Sequence, residues 1–153
     1  MKFFRTFVGL LIINFGALGI GSWLMNNGPQ TAWYTGLNQA PWTPPGWVFG
    51  AAWTTIMICF SIYMAYLFIQ KPSKKLTLLF LIQFALNVSW NYVFFNQHLV
   101  GLGLVVIFGL TLLVGFFLAH YRKELQTKTL LILPYFVWLC IATSLNGYIF
   151  FNN

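Results

Sequence analysis

The chain has 153 residues, 59% of them hydrophobic and only 6% charged, so water is not its main solvent. Its net charge of +7 comes from eight lysines and arginines against one acid, Glu124. Those cations fall at the N-terminus and in two short connections, which reads as membrane topology rather than nucleic-acid binding. A single carboxylate also excludes hydrolysis by a carboxylate pair and a pump-type proton relay.

The composition predicts an all-α fold: a five-transmembrane-helix bundle forming one membrane domain over 1–153. The first span covers about 7–25 and follows Lys2 and Arg5. A cleaved signal peptide is the competing reading, but the apolar run exceeds the 7–15 residues of such a segment. Ala17 and Gly21, four apart, would let a neighbouring helix approach closely. The second span, about 47–69, starts after Pro44 and Pro45, and the third, about 76–95, follows Lys74 and Lys75. The fourth covers about 99–120 and is rich in glycine; the fifth, about 129–151, carries Pro134 near its start. With five spans every lysine and arginine lies on one side, which places the N-terminus inside and the C-terminus outside. An α-helical bundle with inner positive charge suits a multi-pass protein of a bacterial cytoplasmic membrane.

The uncharged stretch from Trp33 to Trp53 lies between the first two spans and holds five aromatics of the Trp/Tyr type together with Pro41, Pro44 and Pro45. Prolines fix φ and bias the residues before them to extended geometry, so the connection 26–46 is expected to be a stiff, semi-ordered flap rather than a helix. Its indoles are either interfacial anchors or the lid of a pocket for a flat apolar ligand.

Few groups offer acid–base or metal chemistry. Glu124 sits in a basic connection and is expected to be solvated and paired. His98 and His120 fall near opposite membrane surfaces and cannot share a metal, and Cys59 and Cys140 each lie within an apolar span; no metal site is expected. Uncharged polar groups at helical spacing are more informative. Gln83, Asn87 and Asn91 recur every four residues, with Trp90 and Phe94 beside them, so one face carries amides and aromatics together. Such amides either bond neighbouring helices or orient a ligand in a cavity. Tyr135, Trp138, Ala142, Leu145 and Asn146 share one face of the fifth span, where Ala142 leaves a gap for a neighbouring helix or a flat ligand. Asn14, Thr111, Thr143 and Ser144 read as helix-packing groups.

These motifs resemble the translocator protein, or tryptophan-rich sensory protein (TspO/MBR), family. They are Trp33-Tyr34 with Leu37, Trp42-Thr43-Pro44-Pro45-Gly46, Trp53, Asn87 to Phe95, and Pro134 to Asn146, in order along nearly the whole chain. The resemblance implies a dimeric five-helix bundle with a ligand pocket beneath the first long connection. It implies porphyrin ligands such as protoporphyrin IX or haem, sterols in some members, and no obligatory cofactor. Carried over by motif, the ligand-binding residues are Tyr34 and Trp42 of the lid, Trp53, Asn87, Trp90, Phe94, Trp138, Ala142 and Leu145. Trp53 and Trp138 are also the photochemical candidates, because light-dependent porphyrin breakdown is associated with the family's tryptophans. This chain departs from the family pattern at Gln39, where a lysine is common, and at Val106, where many members carry aspartate. The expected function is a tetrapyrrole receptor or sensor; the alternative is a transporter of porphyrins or other amphipathic molecules such as sterols. The expected partners are membrane lipid and a second copy of the chain, with Ala85 and Ser89 as a candidate close-contact pair.

Overall fold

A computed structural model describes residues 1–153 and contains helices, turns and no strand. Helix α1 (Lys2–Leu24) ends where Asn26 and Asn27 adopt left-handed φ values of 48° and 60°. A 3-10 turn (Gly28–Gln30) and a short helix α2 (Ala32–Thr35) follow, the latter capped by Thr31 Oγ1, which accepts from the Tyr34 amide. Helix α3 (Gly46–Gln70) starts directly after Pro45, and α4 (Lys74–Asn91) is capped by Ser73. A π turn (Tyr92–Asn96) extends α4 before His98, at φ 57°, turns the chain into α5 (Val100–His120). A short helix α6 (Arg122–Leu125) and a 3-10 stretch (Gln126–Ile132) lead into α7 (Leu133–Asn152), with Pro134 in its first turn, where its missing N–H costs no bond.

Five helices are long and apolar enough to cross a membrane, so this is an integral multi-pass membrane protein. Several boundaries differ from the sequence expectation. The first helix begins five residues before position 7, because nothing in Lys2–Thr6 breaks a helix, and the segment before Leu133 is 3-10 rather than α. The flap also contains two short helical turns, the first with Pro29 near its start, where a missing N–H costs no bond; Pro41, Pro44 and Pro45 fall after both turns, so only its second half is extended.

The long helices close into a ring in which α1 touches α3 and α4, α3 touches α7, α7 touches α5, and α5 touches α4. Packing fixes two close approaches. Asn14 Nδ2 donates to Ser61 Oγ at 2.8 Å between α1 and α3, and Thr111 and Thr143 hydroxyls meet at 2.9 Å between α5 and α7. Gly21 lies against Asn91, where a Cβ would come within 2.6 Å of the amide nitrogen.

The two ends of the ring are filled differently. Toward the end holding the N-terminus, Phe60, Tyr63, Met64, Leu67, Leu76 and Phe117 are fully buried in one continuous core. All the cations gather at this end, where Lys128 Nζ stands 4.2 Å over the Tyr66 ring and Lys75 Nζ stands 5.4 Å over Phe116. Glu124 is half-buried here and its Oε2 is enclosed without a hydrogen-bond partner, so that oxygen is not solvated and paired as expected; the turn through α6 folds it inward. His120 stacks on Phe116 at this end, while His98 stacks on Trp33 at the other.

One polar contact closes the core at mid-height: Gln83 Nε2 donates to the Tyr135 hydroxyl at 2.7 Å, both residues at most 2% exposed. Replacing Tyr135 with Phe is expected to leave that amide unpartnered and to lower stability by about 1–3 kcal/mol. Thermal unfolding in detergent checks this, and adding Gln83→Leu to the Tyr135→Phe variant should recover part of the loss.

Candidate functional site

Above the Gln83–Tyr135 level the ring is hollow. A cavity of about 380 Å³ lies between α3, α4 and α7 under the 26–46 connection, within the usual size range of small-molecule sites. Its walls are largely aromatic: Phe49 and Trp53 from α3, Trp90 and Phe95 from α4 and its π turn, and Trp138 with Ala142 from α7. The lid contributes Tyr34, Thr35, Gln39, Thr43 and Pro44. No lining residue carries a charge.

Each wall is held by contacts behind it. Trp53 meets Tyr135 edge-on at 6.0 Å, and Phe49 meets Trp138 edge-on at 5.3 Å. Trp90 donates from Nε1 to Asn146 Oδ1 at 3.1 Å, and Asn146 Nδ2 donates to the Val100 carbonyl, which fixes the indole between α4, α5 and α7. Phe94 stacks on Trp90 at 5.3 Å with an interplanar angle of 13°. The π turn makes this possible: one extra residue per turn turns both Phe94 and Phe95 inward, and such turns recur at functional sites.

The lid is tied down on both flanks. On one, the Asn38 amide donates to Asn153 Oδ1 at 2.8 Å, and Asn153 Nδ2 donates back to the Asn38 carbonyl. On the other, Trp33 stacks on His98 at 4.0 Å and meets Phe94 edge-on, while Tyr34 packs on Phe95. Inside, Gln39 Nε2 donates to the Tyr34 carbonyl at 3.0 Å. Burial raises the Tyr34 phenol above its ordinary pKa, so it stays protonated and can donate into the cavity.

The cavity brings together Tyr34, Trp53, Trp90, Trp138 and Ala142 of the expected residues. Asn87 faces an adjoining chamber of about 240 Å³ that shares Met25, Phe49, Trp53 and Asn91 with the cavity. Phe94 and Leu145 are buried behind the walls. Trp42 stands outside: it is 54% exposed, donates from Nε1 to Ser144 Oγ at 3.1 Å and meets Tyr148 edge-on. The sequence reading passed over Phe49, Phe95, Thr35 and Thr43 as lining residues. Phe49 carried a weak signal, lying one helical turn before Trp53.

A closed ring of five spans with a lidded, uncharged and largely aromatic cavity at one end defines a polytopic membrane protein with a small-molecule-sized cavity. The TspO/MBR family model matches residues 7–151, and the chain belongs to that family. It is 31% identical over 158 residues to the tryptophan-rich protein TspO of Archaeoglobus fulgidus, covering 100% of this chain and 97% of that protein. It is 33% identical over 137 residues to the translocator protein of Homo sapiens, covering 83% and 78% of the two chains. The tryptophan-rich sensory protein of Cereibacter sphaeroides is 30% identical over 114 residues, 74% of this chain and 72% of that one.

Proposed function

We propose that this protein is a membrane receptor for tetrapyrroles, which bind in the cavity beneath the lid. The observation that carries the reading is the convergence of Trp53, Trp90 and Trp138 on one uncharged cavity. A porphyrin is flat and apolar over both faces, so indole faces and edges suit its ring. Its propionates would turn toward the mouth, where Gln39 Nε2, bonded once to the Tyr34 carbonyl, keeps a second hydrogen to donate, and no cation is needed if solvent reaches the carboxylates. A disc wider than the cavity extends into the Asn87 chamber when the flexible Met25 side chain moves.

The filled core beneath the cavity favours a receptor over a carrier. Passage toward the cationic end would require displacing Tyr135, Phe60 and Tyr63, all fully buried. In sealed vesicles holding the protein, protoporphyrin IX is expected to bind saturably without protein-dependent flux to the lumen; saturable flux would establish the transporter reading instead. Trp53 and Trp138 line the cavity from facing helices and are oxidisable, so we place light-dependent breakdown with dioxygen as oxidant on this pair. Because Trp42 packs outside, Trp42→Ala is expected to change porphyrin affinity by less than about threefold, as equilibrium titration in the dark would measure.

The clustering of all cations at the far end supports an orientation with the N-terminus inside and the lid outside a bacterial cytoplasmic membrane. Ala85, exposed on α4, leaves that helix free to meet a second copy in a homodimer.

A further inference from the structure

We propose that the Asn87 chamber is the entrance to the site, admitting the ligand sideways from the bilayer between α1 and α3 instead of from water through the lid. The inference rests on the tetrapyrrole reading above. The chamber's outer rim is made by Ser22 of α1 and by Gly50 and Thr54 of α3, all exposed on the flank of the ring. The rim is built from small side chains, and at Gly50 an added Cβ would meet nothing within 4 Å. Its inner wall is Trp53 with Met25, which belong to the main cavity as well.

Asn87 points the same way. It is only 6% exposed, it lines the chamber, and its side-chain amide makes no hydrogen bond to the protein, while Asn91 bonds to its backbone carbonyl. An amide without a protein partner, reachable from the chamber on a residue otherwise buried, suits a passing or bound molecule that brings an uncharged donor or acceptor into apolar surroundings. The lid, by contrast, is held by the paired Asn38–Asn153 bonds and the Trp33–His98 stack, which entry from above would have to break. A flat apolar ligand is concentrated in hydrocarbon to begin with. Within the site, Met25 and Trp53 stand between chamber and cavity, and rotamer changes there would join the two.

Stopped-flow transfer of protoporphyrin IX into proteoliposomes tests the route. Gly50→Trp fills the rim from a position with open space, and Ser22→Phe does so from the opposite helix. Each is expected to slow both association and dissociation at least tenfold, whereas damage to the bound state alone would speed dissociation. Asn153→Ala, which releases the lid, is expected to leave both rates unchanged. Unaltered rates in both rim variants, or tenfold acceleration by Asn153→Ala, would overturn the lateral route while wild-type binding leaves the receptor reading standing. No saturable uptake by the wild type would overturn both.

Discussion

Replacing Trp138 with alanine is expected to weaken porphyrin binding about a hundredfold and to destabilise the bundle by about 3 kcal/mol. Trp138 is 6% exposed and sits where α7 meets α3, with Phe49 edge-on against it and Ala142 one turn above. Truncation removes a cavity wall and the support of Phe49 together, so affinity and stability should fall in one variant. The two losses separate with Trp138→Phe, which keeps most of the packing and should recover most of the stability. Its affinity should remain about tenfold below wild type, because the smaller ring offers less stacking area. Unfolding midpoints in detergent beside dark binding isotherms measure both.

The second large effect is expected at Gly28, in the first turn of the lid. A Cβ at this position would lie 2.5 Å from Cβ, Cγ and Cδ1 of Phe95, and Phe95 is itself wedged against Tyr34, Trp90 and Phe94. The atoms in the way are the root of an aromatic side chain, which cannot swing aside, so the lid must lift. Gly28→Val should cost about 1–3 kcal/mol, the usual range for overpacking, and should reduce porphyrin affinity at least tenfold. Chymotryptic cleavage at Trp33 or Tyr34 should accelerate as the lid detaches. Unchanged cleavage and affinity would mean that the lid does not depend on its seat at Phe95.

The ring of helices and the polar stripe were legible in the sequence for a physical reason. Amides at positions 83, 87 and 91 must share one face of any helix, and a membrane allows them no solvent partner. Gln83 turned out to bond another helix, while Asn87 faces a chamber; spacing alone does not distinguish these, because the choice depends on what α7 presents at each height. Tyr135 stands opposite Gln83 and no partner reaches the Asn87 amide. The placement of Trp42 was illegible for a similar reason, since its partner Ser144 lies 102 residues away. The π turn over Tyr92–Asn96 has no local sequence signature either. It is held by a long-range contact, Asn96 Nδ2 donating to the Leu24 carbonyl, and it decides that Phe95 joins the cavity. Phe49 was hidden because one apolar residue in an apolar span carries no pattern, and its role emerges only against Trp138.

The most direct measurement is a dark titration of the purified protein with protoporphyrin IX, followed by quenching of intrinsic tryptophan fluorescence, for wild type and for the Trp53→Phe, Trp138→Phe double variant. The cavity reading predicts saturable quenching in the wild type and an affinity at least tenfold weaker in the double variant. Linear, unsaturable quenching alike in both would mean that the porphyrin merely partitions into detergent and that the tryptophans serve as membrane anchors.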